Sequence, residues 1–158
     1  MLKLIALDED DLRVISAHLQ DAVAREADIA YLPAEKRLVM MLNRFDWEAA
    51  TASGSKRGRY LRRRCVLRFD KVEKVQVQRI APGKGKRVFE MLAVDFATAE
   101  APSGHIDLVF AGDSAIRLWV ECIEVELRDT GAVWRTRNLP HHPDEEMPDT
   151  STGGPSQA

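Results

Sequence analysis

The chain has 158 residues, 45% apolar and 30% charged, a balance that fits one globular domain with a real core and excludes a disordered or fibrous protein. Its net charge of −2 argues against a wholesale nucleic-acid binder, yet the average hides a split: all 23 basic residues precede Asn138, and the acids Asp144, Glu145, Glu146 and Asp149 follow it. The longest apolar run, LVMML from Leu38, is far too short to span a bilayer, and MLKLIALDEDD has no small-residue cleavage site, so a cytoplasmic, non-membrane protein is expected.

In chain order, Leu2 to Leu7 is a short strand. Asp8 is placed to cap a helix over Glu9 to Ala24: Glu9, Asp10 and Asp11 suit the positive end of the helix dipole, and Leu12, Ile15, Leu19, Ala22 and Val23 recur at helical spacing. The period then changes to two. Ile29 and Tyr31 alternate with small or polar neighbours, PAEK makes a turn, and Arg37 to Trp47 is a long strand with Leu38, Met40 and Leu42 on one face. Tyr60–Phe69 and Val72–Ile80 are expected to pair as a hairpin around Asp70-Lys71. PGKGK from Pro82 is a loop, and Val88 to Phe96 is a strand with Val88, Leu92, Val94 and Phe96 on one face. Ile106, Leu108 and Phe110, a Gly112-Asp113-Ser114 turn, and Ile116, Leu118 and Val120 make a further hairpin. The alternation slips phase between Cys122 and Ile123, which predicts a β-bulge.

The pattern defines an α+β fold: one N-terminal amphipathic helix packed on a mostly antiparallel, strongly bent sheet or partly open barrel of about eight strands. Residues 1–137 form a single domain. From 138 to 158, NLPHHPDEEMPDTSTGGPSQA has little to bury and is expected to be an acidic, disordered tail.

Three stretches carry a family resemblance: LDEDDLRVISAHLQDAV, DIAYLPAEKRLVMMLNRFDWE and APSGHIDLVFAGDSAIRLWVECIEVELRD. In them the chain resembles a family of small alphaproteobacterial proteins catalogued as a domain of unknown function, over roughly residues 2 to 140. The resemblance implies a bacterial cytoplasmic protein and one folded domain, and it carries no activity, cofactor or site residue with it.

The chemistry must therefore come from the residues. No Cys-x-x-Cys or His-x-x-x-His spacing is present, so no metal is expected, and no cofactor. Cys65 and Cys122 sit in apolar strand surroundings without a basic activator and are expected to be free thiols. PGKGKR is followed by a strand, not by the helix a phosphate loop needs. The best catalytic pair is Asp46 and Glu48 in NRFDWE, two carboxylates on one side of a strand. A simpler account makes Arg44, Asp46 and Glu48 a solvated charged row. A helix of about 16 residues spans about 24 Å and cannot cover a strand of about 40 Å, so the overhang must be polar.

A basic run follows, with Lys56, Arg57, Arg59, Arg62, Arg63, Arg64 and Arg68 free of intervening acids. If the hairpin forms, it returns the chain to Lys84, Lys86 and Arg87 beside that run. Positive charge with Trp47 and Tyr60 nearby suits the phosphates and bases of a single-stranded nucleic acid, or a nucleotide. Trp119 is the one large apolar group on a mainly polar strand face and is the interface candidate. The expectation is a non-enzymatic accessory or interaction domain with a protein or polyanion partner. Nucleic-acid binding at the basic loops is the alternative, and a hydrolase using Asp46 and Glu48 the second alternative.

Overall fold

The computed structural model describes residues 1–46 and 60–136. The elements in order are β1 (Lys3–Ala6), α1 (Glu9–Leu19), β2 (Val23–Leu32), a short 3-10 helix (Pro33–Glu35), β3 (Arg37–Phe45), β4 (Tyr60–Phe69), β5 (Val72–Gln78), β6 (Val88–Thr98), β7 (Gly104–Phe110), β8 (Ser114–Val120) and β9 (Val125–Thr136). Trp47, Glu48, Lys56, Arg57 and Arg59, and the tail expected over 138–158, lie outside the described residues.

The cap forms as the sequence requires: the Asp8 carboxylate accepts the Asp11 amide at 2.8 Å, and Leu12, Ile15 and Leu19 are buried. The helix stops earlier than its apolar spacing suggests. Asp21 takes a left-handed φ of 66°, and Ala22 and Asp21 turn instead to backbone bonds with Met91. Ala22 and Val23 thus serve the sheet, not the helix.

Among the described residues nine strands, one more than expected, form a sheet in the order β1-β9-β4-β3-β2-β6-β7-β8-β5, every neighbouring pair antiparallel and the sheet not closed. The helix packs on β6, β1 and β3. Leu38, Met40, Leu42, Leu67, Phe69, Ile106, Leu108, Ile116, Leu118 and Leu127 fill the core, which is the period-two pattern of half-buried strands.

Three expectations fail, two because of which strands pair and one because of a register shift within a pair. The β4–β5 hairpin does not form. β4 is bonded on one side to β3 and on the other to β9, so neither edge is open to β5, which pairs with β8 at the far end of the sheet. Lys71, at φ 63°, redirects the chain, and Val72 donates to the Lys36 carbonyl while Lys71 accepts from the Glu121 amide. The phase slip at Cys122-Ile123 is not a bulge within one strand. β8 ends at Val120, and the chain crosses to β9, beside β1 and β4. In β6 a register shift between Met91 and Ala93 puts Met91 and Val94 inside and leaves Leu92 half exposed, so Leu92 does not share the face of Val94.

Candidate functional site

Of the expected charged row, Arg44 in β3 and Asp46 just after it are both buried. Arg44 follows Leu38, Met40 and Leu42 on the core face and is 4% exposed, and Asp46 beyond it is 6% exposed. The expected solvated overhang is therefore corrected. Cys65 lies between Leu42 and Asp129 across β3, β4 and β9, and Arg44 opposes Arg63 one step further on. Arg44 grips Asp129 through two parallel bonds, Nε to Oδ1 and Nη2 to Oδ2, both 2.9 Å. The Leu2 amide donates to Asp129 Oδ2 at 2.9 Å, tying the N-terminus to β9.

Burial pushes the Asp129 carboxyl up, but the Arg44 and Leu2 bonds and the Arg44 charge outweigh it, so Asp129 stays below the usual carboxylate range. Burial works equally against charge on Arg44, and its bonds to Asp129 keep its pKa raised. Asp46 accepts from Arg63 Nε at 2.5 Å. The Asp46 carboxylate is thus already engaged by the Arg63 guanidinium. Burial pushes the Cys65 thiol up to about 12, so it is no nucleophile at neutral pH. Among the described residues, no group of three or more His, Cys, Asp or Glu could hold a metal ion.

The basic candidates separate. Arg62 is 1% exposed, with its guanidinium 5.9 Å from the Phe45 ring centroid, inside the protein and not on a solvated loop. Tyr60 opens β4 opposite Thr136. Lys84, Lys86 and Arg87 are exposed on the loop before β6. That loop is wrapped round Glu26, a buried carboxylate in the irregular stretch of β2. Glu26 accepts from the Ala81 amide at 2.8 Å and from Arg87 Nη2 at 2.9 Å. Burial raises its pKa, but these bonds prevail and hold it lowered. Gly85 is required here, since a Cβ would fall 1.6 Å from Glu26 Oε1. Arg87 also lies over the Phe89 ring at 5.0 Å, beside a cleft of about 430 Å³ lined by Arg79, Phe89, Glu90 and Ser114.

Trp119 lies on the outer face of β7, β8 and β5, where its neighbours across the ladder are His105 and Lys74. Its Nε1–H donates to Gln76 Oε1 at 2.8 Å, the His105 ring meets it edge-on at 4.9 Å, and the Arg117 guanidinium is 5.8 Å from its centroid. Arg117 in turn forms two bonds to Asp107, at 2.8 and 2.9 Å. The small side chains of Val109 and Ala115 beside Arg117 leave a cleft of about 320 Å³, bordered by Gln76, Gln78 and Asp107. The sequence marked Trp119 but not this surround. The signal was present: His105 and Asp107 alternate outward on one strand, Arg117 and Trp119 on the next.

The fold and this surface define an open, antiparallel α+β domain whose strongest internal charges serve packing and whose outer sheet face carries an ordered aromatic cluster. The chain belongs to the DUF2948 family, described as a protein of unknown function, whose profile matches residues 2–142. No curated protein and no solved structure matches the chain. Among the described residues no helix is long and apolar enough to cross a membrane.

Proposed function

We propose that the protein is a non-enzymatic accessory domain that docks a protein partner through the outer face of β7, β8 and β5, with Trp119 as anchor. The observation that carries this is the immobilised indole: hydrogen-bonded to Gln76, braced by His105 and flanked by an Asp107-held Arg117. A Trp and an Arg fixed before binding lose little side-chain entropy on docking, and these residue types dominate interface energetics. The adjoining cleft offers space for one side chain of the partner. Asp46, bound to Arg63, supports the non-enzymatic assignment over a hydrolase. A cytoplasmic site of action accords with the two free thiols. The test is capture from the native cytoplasm by the wild type and by Trp119→Ala, with circular dichroism as the control for folding. Loss of a specific partner with the fold intact supports the proposal. Equal capture by both proteins refutes it.

A second assignment, a polyanion such as single-stranded RNA or a nucleotide at the basic loop, draws on Lys84 and Lys86 displayed from the Glu26-pinned loop beside the Arg79–Arg87 cleft. The β4–β5 hairpin that would have brought Lys56, Arg57 and Arg59 alongside is absent, which removes its strongest premise.

A further inference from the structure

β5 is the longer of the two edge strands, with seven residues against four in β1, and from Glu73 onward only Val75 is not exposed. Among the described residues no strand meets its outer edge. An unpaired edge of this length is a template for another strand, and no proline interrupts it. Its start is already used, since the Val72 amide donates to the Lys36 carbonyl, which leaves Lys74 to Gln78.

We propose that this segment pairs with the same segment of a second copy, antiparallel about a twofold axis through Gln76, joining two nine-stranded sheets into one. Self-complementarity selects the occupant and the register. With Gln76 opposite its own copy, Val75 faces Val77 of the second copy and Lys74 faces its Gln78. Val75 and Val77 stand opposite Leu118 and Ile116 of β8, on the core face, so the two valine pairs continue that face across the joint. Val77 is 51% exposed and would be covered. Moving the axis to Lys74 sets lysine against lysine. Moving it to Val75 sets Glu73 against Val77 and calls on the occupied Val72. Only the Gln76 axis keeps all five positions matched in polarity, with like charges apart. At its centre the Gln76 side-chain oxygen is held by Trp119, so its amide nitrogen remains the donor toward the second glutamine.

A five-residue ladder buries little surface by the standard of stable dimers, so the association is weak and shows as concentration dependence. The ladder runs along the rim of the sheet and shares Gln76 with the Trp119 surface, so the dimer is tested with Gln76 and Trp119 left in place, and partner docking is tested with Trp119→Ala. The experiment is sedimentation velocity of the full chain from low micromolar to near-millimolar concentration, on the wild type and on Val77→Lys. That substitution sits on an exposed position and leaves every backbone donor in place. The expected result is a wild type that moves from monomer to dimer with concentration, and a folded Val77→Lys protein that stays monomeric throughout. A wild type that remains monomeric at the highest concentration overturns the proposal, as does a folded Val77→Lys protein that dimerises like the wild type.

Discussion

Replacing Asp129 with alanine would leave the Arg44 guanidinium, whose side chain is 5% exposed, as an unpaired charge inside the sheet. It would also take the acceptor from the Leu2 amide. Removing one partner of a buried ion pair costs about 3–5 kcal/mol, because the remaining charge keeps its desolvation penalty and loses its compensation. The orphaned amide adds about 1 kcal/mol. In a domain of this size each kcal/mol lowers the Tm by about 2–4 °C, so Asp129→Ala should melt about 10 °C or more below the wild type. Because the cost comes from the orphaned charge, a double variant, Arg44→Met with Asp129→Leu, should recover most of the loss. Urea unfolding of the wild type, Arg44→Met, Asp129→Leu and the double variant closes the cycle. A single-variant loss under about 1 kcal/mol, or a double variant as unstable as the sum of the singles, would refute the assignment of a structural, inward-facing pair.

Acid should destabilise the protein through the same groups. Asp129 and Glu26 are both held below the ordinary carboxylate value, so their stabilisation is complete above about pH 4 and is lost as pH falls through their lower folded-state values. Thermal melts from about pH 7 to pH 2 should show this acid limb, and Asp129→Asn should flatten it. Gly85→Ala should cost about 2–3 kcal/mol in chemical denaturation, since its Cβ would displace the Glu26 carboxylate from the Ala81 and Arg87 donors. A cost near that of an ordinary loop substitution would mean the loop does not wrap Glu26 as described.

Much of the fold was legible because it is local. The Asp8 cap, the buried spacing of Leu12, Ile15 and Leu19, and the β7–β8 hairpin all rest on residues a few positions apart. Steric preference and alternation act at that range and need no distant partner. Trp119 on the polar face of β8 was legible for the same reason. What the sequence could not decide is which strand lies beside which. Val72 to Gln78 reads as the return strand of a hairpin until β9, some 55 residues beyond the end of β4, takes the place that hairpin needs. Arg44 reads as solvated until Asp129, 85 residues away, arrives to receive it. A buried charge is tolerated only where a partner meets it, and sequence shows the charge without the meeting. Local propensity therefore determined most elements and apolar faces, the end of α1 and the face of Leu92 in β6 being exceptions set by pairing with the sheet. The tertiary pairing alone decided which polar residues could go inside, because that depends on contacts between segments the chain keeps far apart.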